Sequence, residues 1–410
     1  MHAAAGIYAT ASWLYSQVSS LQSPSPKQIA APVDEGWVDA SRYFQTKTIE
    51  DIKSIRVPLA TGVEAEEIIY SENLSIPPAQ KIFNAKEIMI GDAHGNVLRI
   101  LYDLIYGGVF KTPSQEIWNE LIDIISCADR LTDLQLFRFE RILCNEISKT
   151  KQPSQVIFIG DLLAERQGND NLMFTLFFEM KKKDLKYKIM ISNHDLVFLK
   201  YYLLNSYLIE LDKEYCESLY SFLLFHQRYI IHNMDALYEN YLEHLELFDY
   251  KPEIGLFICH ATVKEKQIMN LCDLFLVNKS QNTADLLQNL KKEFEGIKKN
   301  QDLFKLFLEE HAVRDFCWTR IDEEYNTALK FLPGIDIIVQ GHDLNKPYFA
   351  SELTSAYPPS LSSHVSGKSL KRVVLDNRTG KSGLRQTHDT DFNFKPLRAY
   401  LAIIPKDKKV

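Results

Sequence analysis

The chain has 410 residues, enough for one large domain with insertions or for two structural units. Its 46% hydrophobic and 25% charged content suits a globular protein with a sizeable core, and the formal charge of −7 argues against a dedicated nucleic-acid binder, which carries a basic surplus. The six cysteines (Cys127, Cys144, Cys216, Cys259, Cys272, Cys317) form no C-x-x-C pair, which argues against a thiolate zinc site or a dithiol redox motif and for reduced, mostly buried thiols.

Residues 1–35 read as a flexible leader, because Ser20 to Pro26 is linker-like in composition. The mildly apolar stretch Ala3 to Tyr15 lacks the positive leading segment of a secretory signal, and no apolar run approaches membrane-spanning length. A cytosolic-type protein is expected, with its folded body over 36–405 and a basic tail at 406–410. Gly36 to Ala85 carries no pattern that places it. Ile88 to Ile90 reads as a buried strand ending at Gly91, and Asn96 to Tyr106 as a helix.

Two helices are predicted next, Ser114–Cys127 and Thr132–Lys149, with Ser114 and Thr132 as N-caps. Strand Val156–Ile159, helix Asn171–Lys183 and strand Lys188–Ile191 follow. Residues 196–250 contain no Gly or Pro and keep helical spacing, which predicts a helical block. Strand Gly255–Cys259, helical periodicity from Thr283 to Ala312 and strand Ile335–Val339 come next. The end turns to short strands, Arg372 to Leu375 and Tyr400 to Ile404, with a turn over Asp376 to Gly380. Helices alternating with short apolar strands predict an α/β layered core.

Each of the five main strands is followed at once by polar groups able to bind a metal. The first gives Gly91-Asp92-Ala93-His94-Gly95, in which Asp92 and His94 sit two apart and point to one side of an extended strand end. The second gives Gly160-Asp161 and, further on, Glu165-Arg166; the third gives Ser192-Asn193-His194-Asp195. The fourth gives His260-Ala261 and the fifth Gly341-His342-Asp343. Ligands bind at the carboxyl ends of strands in open α/β sheets, so these groups are expected to meet. Carboxylates, an amide oxygen and imidazoles suit two divalent ions, with manganese favoured and iron, zinc or magnesium as alternatives. Such a pair lowers the pKa of a water held between the ions, and the hydroxide attacks phosphorus. Arg166 and Arg320 offer the planar fork that grips phosphate.

The ordered run GDAHGN, GDLLAER, SNHD, CHA and GHD resembles the phosphoprotein phosphatase (PPP) family of calcineurin-like metallophosphoesterases, from about Gly91 to Asp343. The resemblance implies a four-layer α/β/β/α sandwich and hydrolysis of phosphomonoesters on protein Ser, Thr or Tyr. It implies that Asp92 and His94 bind one metal, that Asp161 bridges, and that Asn193, His260 and His342 bind the other. His194 is implied as general acid and Arg166 as phosphate clamp. Cys317-Trp318-Thr319-Arg320 resembles the W-x-R segment of bacterial members, which makes Arg320 a second clamp.

Several positions depart from that pattern. Asp161 and Arg166 have one extra residue between them, Glu165 replaces the aspartate that orients the acid histidine, Ser192 replaces glycine and Asp195 replaces glutamate. Helical insertions at about 103–150 and 196–250 resemble those of effector phosphatases that intracellular bacterial pathogens deliver into host cells, some of which are thought to favour phosphotyrosine. This second resemblance implies a phosphoprotein or phosphopeptide substrate and host-protein contacts through the insertions, with no nucleic acid and no membrane span. A nucleotide or dinucleoside-polyphosphate phosphohydrolase on the same fold is the rival enzyme, and a binding module with impaired catalysis the rival non-enzyme. A thiol-based tyrosine phosphatase is dismissed, because no cysteine lies six residues before an arginine.

Overall fold

The computed structural model of the chain describes residues 53–60, 63–69, 85–93, 95–126, 131–150, 155–163, 169–204, 234–279, 282–319, 332–342, 364–365, 368–369, 371–374 and 398–405. The expected leader and basic tail, and the turn at Asp376, lie outside these residues.

The strands in chain order are β1 (Lys53–Ala60), β2 (Val63–Ile69), β3 (Ala85–Ile90), β4 (Gln155–Phe158), β5 (Tyr187–Met190), β6 (Leu245–Glu246), β7 (Asp249–Lys251), β8 (Leu256–Ile258), β9 (Ile337–Gln340), β10 (His364–Val365), β11 (Lys368–Ser369), β12 (Lys371–Val374) and β13 (Arg398–Pro405). The helices are α1 (Val97–Tyr106), α2 (Gln115–Ser126), α3 (Asp133–Asn145), α4 (Asp170–Lys182), α5 (Asn193–Leu204), α6 (Met234–His244), α7 (Glu265–Phe275), α8 (Thr283–Lys298), α9 (Gln301–Glu309) and α10 (His311–Trp318).

Two larger sheets organise this α/β fold. The first has seven strands in the order β1-β2-β13-β3-β4-β5-β6, and the second has four in the order β12-β9-β8-β7. In the first, β3, β4, β5 and β6 run parallel, with Ile90 opposite Phe158 and Phe158 opposite Ile189. In the second, β8, β9 and β12 run parallel, with Ile258 opposite Val339. Parallel strands are covered on both faces, which explains their uninterrupted apolar runs: Ile88, Met89, Ile90, Ile157, Phe158, Ile338 and Val339 are all fully buried. The chain passes from one sheet to the other through Leu247 and Phe248, both buried, and the Phe248 ring stacks on Phe257 with centroids 5.1 Å apart.

Helix boundaries follow local chemistry. Thr132 opens α3 with a reciprocal capping box to Gln135, and the Ser114 hydroxyl accepts the Ile117 N–H ahead of α2. The predicted helix to Lys149 ends at Asn145, because Lys149 instead bridges Phe110 in antiparallel fashion. The unplaced segment before Ala85 contains the β1–β2 hairpin, which joins the first sheet through β13. The block expected to be helical over 196–250 starts earlier, at Asn193, and its end is strand rather than helix, since β6 and β7 fall inside it; residues 205–233 lie outside the description. The strand expected at Ile335 starts at Ile337, because the Asp336 and Ile337 N–H groups both turn back to the Gly255 carbonyl. Lys181 and Lys182, in the last turn of α4, are ion-paired to Glu243 and Glu179 at 2.6 Å.

A charged cluster ties the two sheets together. Asp249 on β7 meets Lys188 of β5 at 2.7 Å, Lys291 of α8 at 3.3 Å and Lys251 at 3.4 Å, while Lys251 reaches Glu87 of β3 at 2.5 Å. Asp249 and Glu87 are buried, so the surrounding lysines are needed to hold their charge.

Candidate metal centre

Asp92, Asp161, Asn193, His260 and His342 each stand just past the carboxyl end of a parallel strand: β3, β4, β5, β8 and β9 respectively. Backbone hydrogen bonds lock these ends together. The Gly95 N–H donates to the Asp161 carbonyl at 3.2 Å, and the Gly341 N–H donates to the His260 carbonyl at 2.8 Å. Asp161 and His342 hold φ of 51° and 53°, the left-handed region that residues with a Cβ seldom adopt. Such strain costs about 1–3 kcal/mol per residue and persists only where the surroundings impose it.

The glycines before these two residues have steric reasons. At Gly160, with φ 129°, a Cβ would come within 2.6 Å of His260 Nδ1 and 2.7 Å of the Ser192 Cβ. At Gly341 a Cβ would overlap the Asp92 carboxylate. Both glycines therefore let a functional side chain approach the backbone closely.

His260, fully buried, is the hub. Its Nδ1 lies 3.2 Å from the Ile159 carbonyl and 3.4 Å from Asp92 Oδ1. Its Nε2 lies 2.8 Å from Asn193 Oδ1 and 3.3 Å from Asp161 Oδ1. Asp161, His260 and His342 each bring one donor atom into a cluster within 4.8 Å. Burial alone would lower the His260 pKa, but the Asp161 and Asp92 carboxylates outweigh it and raise it to about 9. His342 Nε2 meets the Trp318 carbonyl at 3.3 Å, and because a carbonyl only accepts, Nε2 is the donor in this contact.

These contacts test whether the residues fit a divalent ion. An amide oxygen and a carboxylate oxygen converge on His260 Nε2, so an electropositive centre belongs at this point. A second ring proton can serve, and so can a metal that takes Nε2, Asn193 Oδ1 and Asp161 Oδ1 together. The Nδ1 contact with a backbone carbonyl is how metal-binding histidines are usually oriented. The donors are oxygen and nitrogen without thiolate, as manganese, iron and zinc accept. The fit is good.

The structure thus brings together Asp161, Asn193, His260 and His342, with Asp92 touching both histidines. One Asp92 oxygen faces the His260 ring and the other accepts the His342 backbone N–H. His194 lies on the first turn of α5, half-buried. His94, Glu165, Arg166 and Arg320 lie outside the described residues.

Two features escaped the sequence reading. The Trp318 carbonyl carries no side-chain signal. The Ser192–Asp195 pair had one: S-x-x-D before an apolar helix is a capping signature. The Ser192 N–H and hydroxyl both donate to Asp195 Oδ2, at 3.2 and 2.7 Å, and the Asp195 N–H donates back to Ser192 Oγ at 3.0 Å. Burial pushes the Asp195 carboxyl up to about 6.

Residues 155–333 match the family model described as WipA-like, phosphatase domain. That stretch includes Asp161, Asn193, His194 and His260, whereas Asp92 and His342 fall on either side of it. What the match supports is phosphatase activity. Among solved structures, the chain is similar to the phosphatase domain of the Legionella effector WipB, at 17% identity over 63% of this chain and 99% of that one, with a TM-score of 0.48. It is also similar to a cold-active protein tyrosine phosphatase, at 12% identity over 70% of this chain and 81% of that one, with a TM-score of 0.30. A cold-active protein-tyrosine phosphatase of a psychrophilic Shewanella species aligns at 11% identity over 71% and 85% of the two chains, with a TM-score of 0.26. No curated protein matches the chain.

Proposed function

We propose that the chain is a metal-dependent phosphoprotein phosphatase of the calcineurin-like PPP type, which hydrolyses phosphomonoesters on protein side chains. The observation that carries this reading is the convergence of Asn193 Oδ1 and Asp161 Oδ1 on His260 Nε2, with His342 in the same cluster. The phosphatase-domain match over residues 155–333 supports the substrate class. The two sheets and flanking helices are compatible with the four-layer sandwich of that type.

In this reading Asp161, Asn193, His260 and His342 would hold one divalent ion, and Asp92 with His94, beside Asp161, would hold the other. Bound there, two manganese ions supply the positive charge that activates water and neutralises phosphate oxygens. The protein does the rest. Asp92 fixes the His342 backbone, the Trp318 carbonyl accepts from His342 Nε2, and the Ile159 carbonyl orients His260. His194, on the first turn of α5 beside Asn193, donates a proton to the leaving oxygen. The sequence resemblance would assign Arg166 and Arg320 to the phosphoryl group and Glu165 to orienting His194. The helical insertions suit a host-directed bacterial effector, in keeping with the sequence resemblance.

The test is a panel of phosphoserine, phosphothreonine and phosphotyrosine peptides beside nucleotides and dinucleoside polyphosphates, with manganese or with chelator, alongside elemental analysis. Phosphopeptide hydrolysis that needs manganese is the expected result. Turnover unaffected by chelation, or confined to nucleotides, overturns the reading.

A further inference from the structure

Asp195 closes the SNHD run, is fully buried, and spends its carboxylate on Ser192. Its Oδ2 accepts both the N–H and the hydroxyl of Ser192, and its own N–H returns to Ser192 Oγ. This closed ring of bonds encloses Asn193 and His194, the two intervening residues. Four residues of backbone are thereby fixed where β5 turns into α5. Asn193 then presents its Oδ1 at 2.8 Å from His260 Nε2.

The fully buried Tyr241 of α6, its pKa raised first by burial, is near enough for the Asp195 charge to add to that rise, although its hydroxyl makes no hydrogen bond to that carboxylate. Tyr241 is itself wedged among aromatic rings, with centroids 5.7 Å from Phe174, 6.4 Å from Phe177 and 6.5 Å from Phe198. Packed rings leave it little freedom to move. Hydrogen bonds close Asp195 onto Ser192, and Asn193 between them reaches His260. Helix α6 belongs to the block that looked like an appended insertion, yet its Tyr241 is part of the main hydrophobic core.

We infer that Asp195 is a positioning residue, which with Ser192 sets the orientation of Asn193 and His194 toward the candidate metal centre. The inference rests on the proposed function for its catalytic consequence, but its binding consequence can be read with manganese alone. A serine hydroxyl in place of the flexible glycine, matched to a shorter acidic arm, makes this a different brace from the one the resembled pattern would build.

The experiment compares Asp195→Ala, Asp195→Asn and Ser192→Ala in the full chain. Circular dichroism and melting confirm folding, calorimetry measures Mn²⁺ binding, and steady-state kinetics on a phosphopeptide separate kcat from KM. Removing a group that orients metal ligands typically costs about 10–100-fold in metal affinity or activity. Asp195→Ala is expected to weaken Mn²⁺ binding and lower kcat in that range, with KM little changed. Asp195→Asn keeps the acceptor oxygen and recovers most of the loss. A folded Asp195→Ala with wild-type Mn²⁺ affinity and kcat overturns the inference, as does an Asn variant as impaired as Ala. Should Asp195→Ala not fold, Ser192→Ala decides: weakened Mn²⁺ binding supports the brace, and wild-type values overturn it. Wild-type protein that binds Mn²⁺ but cleaves no phosphopeptide removes the proposed function while leaving the calorimetric comparison decisive.

Discussion

The Asp92 carboxylate accepts the backbone N–H of His342 at 2.6 Å, joining the end of β3 in one sheet to the end of β9 in the other. The bond holds His342 at its left-handed φ of 53°. It is also made possible by Gly341, whose missing side chain leaves the space that the Asp92 carboxylate fills.

Gly341→Ala therefore has a specific consequence. The new methyl group collides with a short, buried carboxylate that has nowhere to swing. Overpacking of this kind costs about 1–3 kcal/mol, and displacing Asp92 also leaves the His342 N–H without its acceptor. A lower melting temperature is expected together with loss of manganese-dependent phosphatase activity. A variant with wild-type melting and turnover would show that Asp92 does not need this position.

Asp161→Asn separates ligand charge from backbone strain. Asparagine tolerates the left-handed conformation that Asp161 adopts at φ 51°, so the β4 turn is expected to survive. The amide lacks the negative charge that draws a cation into the cluster with His260 and His342. Calorimetry is expected to find Mn²⁺ binding at this cluster abolished while circular dichroism stays unchanged. Retained stoichiometric Mn²⁺ affinity would remove Asp161 from the ligand set.

Much of this site could be read from the sequence, for a physical reason. A parallel strand buried on both faces must be an apolar run, and the group that binds a ligand must follow it directly, so Ile88 to Asp92, Val156 to Asp161 and Ile258 to His260 announce themselves. Gly160 and Gly341 belong to the same grammar, because close approach to His260 and Asp92 forbids a Cβ. Other features left weaker traces. The β1–β2 hairpin alternates charge with small apolar residues (Val63-Glu64-Ala65-Glu66-Glu67) and is completed only by β13, more than three hundred residues later. The strands β6 and β7 are two and three residues long, too short to interrupt a helical period. The Trp318 carbonyl on His342 belongs to the backbone and has no residue-type signal.

His194→Ala tests the proposed general acid. His194 sits half-buried on the first turn of α5 next to Asn193, so truncating it leaves the cluster around His260 in place. Loss of a general acid typically costs about 10²–10⁴-fold in rate. The variant is expected to bind Mn²⁺ like wild type and to lose kcat in that range. The loss should shrink for aryl phosphates with good leaving groups, which need no proton. Equal loss on good and poor leaving groups would assign His194 to binding instead.

The Lys188–Asp249 pair is expected to contribute to stability at acid pH. Burial would raise the Asp249 pKa, but Lys188, Lys251 and Lys291 outweigh it and hold the carboxyl below its ordinary value of 3.8. A carboxylate depressed in the folded state stabilises the fold above its unfolded pKa, and that contribution fades as the pH falls through the folded value. Glu246, raised by burial despite Lys291, has the opposite sign and loses stability as the pH rises. Lys188→Met removes the nearest cation, at 2.7 Å, but leaves Lys291 and Lys251 in place. The expected cost at neutral pH is about 1–3 kcal/mol, below that of a fully broken buried pair and above that of an exposed one. Because protonated Asp249 gains nothing from Lys188, the difference in melting temperature between wild type and variant must narrow once the pH drops below 3.8. The double variant Lys188→Met with Asp249→Leu, which buries no unpaired charge, should melt above the single one. Melting curves that stay equally far apart from neutral pH down to the acid transition would mean that Lys188 acts through its aliphatic packing and not through its charge.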